Sequence, residues 1–151
     1  MNNSDSLKPF HLAIAVDDLD RARSFYVDVL GCSLGRSDKQ WIDFNFHGHQ
    51  LVCHLDERKD RAAGELTNSV DGHGVPVPHF GVVLDMDNWL EMRDRLQACN
   101  IDFVIAPTIR FKGQPGEQAT MFFRDPAGNN LEMKAFASMD QLFATNKESS
   151  I

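Results

Sequence analysis

The chain has 151 residues, 42% of them hydrophobic and 25% charged, with a formal net charge of −7. That length suits one domain able to bury roughly two-thirds of the surface its unfolded chain exposes, and no apolar run approaches the ~20 residues of a membrane helix. No Lys/Arg stripe with interleaved aromatics offers an electrostatic source for phosphate-backbone binding, so neither nucleic acid nor a membrane is an expected partner.

Met1 to Lys8 is polar and lacks the apolar core of a secretory signal, which makes the cytoplasm the expected compartment. Cys32, Cys53 and Cys99 are odd in number, widely spaced and outside any CxxC pattern, so all three are expected as reduced packing residues.

Pro9 to Val16 is a short apolar run with β-branched Ile14 and Val16, the signature of a strand. Asp17 and Asp18 offer N-caps to a helix over Leu19 to Leu30, whose Leu19, Ala22, Phe25, Tyr26, Val29 and Leu30 recur at helical spacing before Gly31 as C-cap. Cys32 to Arg36 reads as a link or short strand. In Gln40 to Phe46, Trp41, Asp43 and Asn45 alternate with Ile42, Phe44 and Phe46; after a turn at His47-Gly48, Gln50 to Leu55 resumes as a strand. The first module is therefore βαβββ, about residues 9–56.

Glu57 to Val77 opens on a charge run and continues through a turn-rich stretch, and predicts a linker of about twenty residues. The plan then repeats over about residues 78–136. His79 to Leu84 is a strand, Asp85 or Asp87 caps a helix striped by Trp89, Met92, Leu96 and Cys99, and Ile101 to Ile105 is a strand. Pro107 to Gln118 reads as a long loop, Ala119 to Arg124 and Asn130 to Phe136 as strands joined by the Asp125-Pro126-Ala127-Gly128 turn. In the tail, 137–151, Met139, Leu142 and Phe143 have the spacing of one short docked helix, and Asn146 to Ile151 is expected to fray. The repeat predicts a single α+β domain of two paired βαβββ modules with eight strands and two covering helices.

Six histidines are present, and two of them, His11 and His79, open the first strand of each module. Glu132 sits in the last strand on the face opposite Leu131 and Met133, where a carboxylate is costly unless it is ion-paired or bound to a metal. Two imidazoles and one carboxylate on a common face form the 2-His-1-carboxylate pattern, which holds a divalent metal and leaves positions for substrate and oxygen. Tyr26 is expected to pack rather than to react.

These residues resemble the vicinal oxygen chelate superfamily of glyoxalase I, fosfomycin and bleomycin resistance proteins and extradiol dioxygenases. The marks are His11 with Val16-Asp17-Asp18-Leu19-Asp20-Arg21-Ala22-Arg23-Ser24-Phe25-Tyr26 and Leu30-Gly31, His79, and Phe123-Arg124-Asp125-Pro126-Ala127-Gly128-Asn129-Asn130-Leu131-Glu132. The resemblance implies a curved mixed eight-stranded sheet around a metal held by His11, His79 and Glu132, with the site inside one chain or between the two of a homodimer. Glyoxalase I carries a second carboxylate at the position that aligns with Val52, so that ligand is absent here. His54, two residues on, shares the parity of Val52 and is expected as a displaced fourth ligand or as an acid/base.

Trp41-Ile42-Asp43-Phe44, His49 to Leu55 and Phe111 to Gln118 are similar to a compact subgroup of predicted dioxygenases. The expected function is that of a metal-dependent enzyme for a small organic substrate with vicinal oxygens, foremost an extradiol-type ring-cleaving dioxygenase using Fe(II) and dioxygen. The alternatives are a glyoxalase-I-like isomerase or lyase, with Mn, Zn, Ni or Co as other metals, and a binding protein that sequesters a drug or metabolite. Arg110, Lys112 and Glu117 belong either to the mouth of the metal site or to a solvated loop.

Overall fold

The computed structural model describes residues 6–59, 66–70 and 73–145. The described residues fall into two compact units, those within Met1–Gly64 with Asp125–Asn129, and those within Glu65–Arg124 with Asn130–Ile151. The architecture is α+β, with one four-stranded mixed sheet in each unit and a small two-stranded sheet besides.

In the first unit β1 (His11–Val16) is followed by α1 (Leu19–Arg23), capped by the Asp18 carboxylate on the Arg21 N–H at 3.0 Å. The helical segment continues over Ser24–Val29 with a wider π-type turn, in which the Leu30 N–H reaches the Phe25 carbonyl at 3.0 Å. Then come β2 (Ser33–Ser37), β3 (Trp41–Phe46) and β4 (His49–Leu55), in the sheet order β1-β4-β3-β2, with β1 and β4 parallel. The β3–β4 hairpin turns on His47 (φ 51°) and Gly48 (φ 89°), the two positive φ values of a tight primed turn. As the alternation predicts, Ile42, Phe44 and Phe46 are buried, together with Phe25 and Tyr26.

The segment 125–129 packs within this first unit. The buried Asp125 carboxylate accepts the backbone N–H groups of Ala127 and Asn129, the Asn129 side-chain amide and the Tyr26 hydroxyl, the last at 2.8 Å. The Asn129 amide also donates to the Ala15 carbonyl at 2.9 Å. Tyr26 is fully buried in this role, which makes it a packing residue, and burial with the neighbouring Asp125 charge pushes its phenol well above the ordinary range.

In the second unit β7 (Phe80–Leu84) leads into α2 (Met86–Ala98), capped by Asp85, and β8 (Phe103–Arg110), β9 (Gln118–Arg124) and β10 (Asn130–Phe136) complete a sheet in the order β7-β10-β9-β8. Trp89, Met92 and Leu96 are buried, as are Met121, Phe123, Leu131 and Met133, and the Trp89 indole N–H donates to the Met133 carbonyl at 2.9 Å. Each such side chain contributes about 1.5–3 kcal/mol by leaving water.

Several expectations are corrected. The segment expected as a linker contains two antiparallel strands, β5 (Leu66–Val70) and β6 (His73–Val77), whose β-branched residues help them pair in register from Leu66↔Val77 to Val70↔His73; the rest of that expectation, at 60–65 and 71–72, lies outside the described residues. β8 runs through Pro107 to Arg110, since Thr108, Ile109 and Arg110 pair with β9, and the loop is confined to 111–117. Cys99 is exposed at the end of α2 rather than packed. The tail makes one short 3-10 turn, Met139–Gln141, and leaves Met139 50% and Phe143 88% exposed rather than docked; the expected fraying of 146–151 lies outside the described residues.

The two modules share one register. His11 pairs with Gln50 and Ala13 with Val52 in the first, while Gly81 pairs with Glu132 in the second. Val52 therefore occupies the place in its sheet that Glu132 holds in the other, and His54 corresponds to Lys134.

Candidate metal centre

Strand alternation sends Leu131, Met133 and Ala135 into the core of the second unit, so Glu132 and Lys134 emerge on the opposite face. Thr120 of β9 donates its hydroxyl to Glu132 Oε1 at 2.7 Å, which leaves Oε2 to face the imidazole of His79 at the entrance of β7. His79 Nε2 lies 3.1 Å from Glu132 Oε2, and the ring meets Phe122 edge-on at 5.0 Å. Its other nitrogen, Nδ1, is 2.7 Å from the Pro76 carbonyl.

A carbonyl only accepts, so Nδ1 carries the proton and donates it to Pro76. In a neutral imidazole that leaves a lone pair on Nε2 opposite an anionic oxygen, a contact that needs a cation: a second proton or a metal ion. Nitrogen and oxygen ligands about 2.0–2.2 Å from one ion and at right angles to each other lie ~3 Å apart, which the 3.1 Å spacing matches. His79 and Glu132 thus fit a divalent metal, with Pro76 and Thr120 fixing their orientation.

In the first unit the corresponding histidine is held from the same nitrogen. The Asp43 carboxylate only accepts, so the Gln50 amide N–H faces it, at 3.3 Å, and turns Gln50 Oε1 toward His11 Nδ1 at 2.8 Å. His11 therefore donates from Nδ1 and keeps its Nε2 lone pair outward. Arg36 Nε, 3.7 Å from Asp43 Oδ2, steadies the far end of this chain. His54 is exposed on the same face of β4 as Gln50. Among the described residues no three His, Cys, Asp or Glu side chains form a ready-made ligand cluster; the pair that is brought together is His79 with Glu132.

A cavity of about 260 Å³ opens over this pair, walled by apolar Val75, Ile105 and Phe122 and by polar Thr108, Gln118 and Thr120. Val70, His73 and Val75 enter it from the β5–β6 hairpin, which no sequence pattern assigned to the site. Lys134 and Arg110 also line it. Of the three loop residues singled out from sequence, only Arg110 does so: Glu117 closes its own loop by accepting the Gly113 N–H at 3.2 Å, and Lys112 is exposed. Gln50, Thr120 and Lys134 went unnoticed in the sequence, although the parity of Lys134 with Glu132 was a signal that could have found the last.

A family model described as Glyoxalase/Bleomycin resistance protein/Dioxygenase superfamily matches residues 8–133. The chain belongs to this superfamily. Its members generally bind a divalent metal and small-molecule substrates, and are commonly dimers. The chain is similar to a glyoxalase/bleomycin resistance protein/dioxygenase from Alicyclobacillus acidocaldarius, at 34% identity and a TM-score of 0.70 over 90% of this chain and 96% of that one. It shares its fold with the lactoylglutathione lyase of Agrobacterium tumefaciens, at 24% identity, TM-score 0.61 and coverage of 91% and 97%. It also shares it with the fosfomycin resistance protein FosX of Listeria monocytogenes, at 15% identity, TM-score 0.60 and coverage of 90% and 96%. Comparison with curated proteins gives no match. Among the described residues no helix is long and apolar enough to cross a membrane.

Proposed function

We propose that this superfamily member is a metal-dependent enzyme, a homodimer in the cytoplasm, that acts on a small organic substrate with two adjacent oxygens, and that its reaction is extradiol-type ring cleavage with dioxygen as co-substrate. The proposed ligands are His11, His79 and Glu132, and the preferred metal is Fe(II). The observation that carries the reading is the His79 Nε2 to Glu132 Oε2 approach of 3.1 Å, with Nδ1 already committed to the Pro76 carbonyl. The matching arrangement of His11, whose Nδ1 is committed to Gln50, supports it as the third ligand. Apolar Val52 in the place equivalent to Glu132, with Asp43 engaged by Gln50 and Arg36, supports three protein ligands over four.

A divalent metal at this position supplies Lewis acidity that polarises and aligns the two substrate oxygens. The residues of the chain do the rest. Pro76 and Gln50 hold the two imidazoles with Nε2 outward, and Thr120 holds Glu132 so that Oε2 stays presented. The apolar walls thin out water around the reacting groups, and Phe122 limits how far the His79 ring tilts. His54 is proposed to take the substrate hydroxyl proton on a ring nitrogen.

Protein loaded anaerobically with Fe(II) and then exposed to air with a panel of catechols should consume oxygen, and His79→Ala should abolish the consumption. Metal analysis should find about one divalent ion per chain in the wild type and its loss in His11→Ala, His79→Ala and Glu132→Gln. Stoichiometric metal without oxygen uptake across the panel refutes ring cleavage and leaves a redox-neutral reaction; retention of metal by Glu132→Gln refutes the ligand set.

A further inference from the structure

We infer that the substrate carries a carboxylate besides its two adjacent oxygens, and that Lys134 and Arg110 receive it; this rests on the metal-site reading above. Lys134 follows Glu132 by two residues on β10, so its side chain leaves the sheet on the same face and lines the same cavity. Arg110 ends β8 and lines that cavity from another strand, its guanidinium 5.0 Å above the Phe111 ring.

Among the described residues lining this cavity, Glu132 is the carboxylate and Lys134 and Arg110 are the cations. A divalent ion on His79 and Glu132 would add positive charge to the same cavity. The chain as a whole carries −7, so two cations in one cavity run against its composition. Apolar Val75, Ile105 and Phe122 around the charges reduce solvent screening, which strengthens the pull on an anion.

A purely structural role for Lys134, as the counter-ion of Glu132, accounts for less. Its Nζ stands 3.9 Å from Glu132 Oε1, beyond hydrogen-bond range, and that oxygen already accepts from Thr120 at 2.7 Å. Once a metal neutralises the carboxylate, none of the other described residues lining the cavity is an anion for Lys134 to serve. Its ammonium also sits 5.7 Å over the Phe136 ring, on a stem long enough to swing toward a ligand. The cavity, about 260 Å³, is at the small end for ligand sites, so the substrate is a single ring or a short chain bearing one acidic group.

The test uses metal-loaded protein under argon and calorimetric titration with catechol, with 2,3- and 3,4-dihydroxybenzoate, and with the methyl esters of both acids. The wild type should bind at least one acid at least about tenfold more tightly than its ester, a difference of ~1.4 kcal/mol. Lys134→Met and, independently, Arg110→Met should each reduce that preference several-fold while changing catechol affinity less than about twofold. Equal affinity for acids and esters overturns the carboxylate inference and leaves the vicinal-oxygen reading standing. A preference that survives both substitutions overturns the assignment to these side chains. Failure of all five compounds to bind overturns both.

Discussion

Replacing Gly81 by alanine adds one methyl group where β7 lies directly beside β10. Gly81 is the register partner of Glu132, and a Cβ built on it would overlap the Glu132 carbonyl oxygen and lie 2.7 Å from the carbonyl carbon and 3.2 Å from the nitrogen. Carbon atoms in contact prefer about 3.5–4.0 Å, and the overlap with the oxygen is deeper still, so the strands must part by more than ~1 Å at this point. The obstacle is backbone on both sides and no side chain can swing clear. Parting them weakens one or two ladder hydrogen bonds at about 1 kcal/mol each and adds an overpacking cost of ~1–3 kcal/mol. Because β7 is an edge strand it can yield somewhat, which puts the total near ~3 kcal/mol. For a chain of 151 residues that lowers Tm by about 6–12 °C. The equivalent position in the first module is Ala13, opposite Val52, so Ala13→Gly should cost no more than ~1 kcal/mol. Thermal unfolding of the metal-free protein measures both, and chelator competition on the loaded protein should show weaker metal binding in Gly81→Ala, since the displaced backbone is that of Glu132. A Gly81→Ala variant with Tm within about 2 °C of wild type would show that the close approach of the two strands places no demand on this position.

Tyr26→Phe removes a buried hydrogen bond to Asp125 at 2.8 Å and should cost about 1–3 kcal/mol by urea unfolding. Burial, and then the Asp125 charge, raise the Tyr26 phenol above its ordinary value of 10.0, so the folded state favours the protonated form. That contribution is complete below about pH 10 and is lost as pH rises above it, and Tyr26→Phe should flatten this part of the profile of urea midpoint against pH. Trp89→Phe leaves the buried Met133 carbonyl without its indole donor and opens space in the second core, and should cost about 2–4 kcal/mol in the same assay. Gln50→Leu deprives His11 Nδ1 of its acceptor and should weaken metal binding by roughly 10–100-fold in chelator competition, with little change in the Tm of the metal-free protein, because Gln50 is exposed. Unchanged chelator competition in Gln50→Leu would refute the orienting role.

Much of the architecture is legible from local pattern. Alternation of Ile42, Phe44 and Phe46 with Trp41, Asp43 and Asn45 assigns the faces of β3 correctly, and the run Asn130–Phe136 matches β10 from end to end. The hairpin at 66–77 was missed because Gly74, Pro76 and the neighbouring turn residues mask a strand signal that only pairing between its two arms completes. The same competition hid the extension of β8 past Pro107, where partners on β9 outweigh the proline.

By itself the sequence determined the βαβββ repeat, the parity that turns Glu132 away from the core, and the matching of Val52 to Glu132, because side-chain period and turn chemistry act over a few residues. Only the tertiary structure decided that His79 and Glu132 meet: their strands are neighbours through the parallel β7–β10 pairing. It also decided which oxygen of Glu132 faces His79, which nitrogen of each histidine faces outward, and that Lys134 and Arg110 share one cavity with His79 and Glu132. Those facts depend on hydrogen-bond partners such as Pro76, Thr120, Gln50 and Asp43, contributed by neighbouring strands and connections, and no local periodicity carries them.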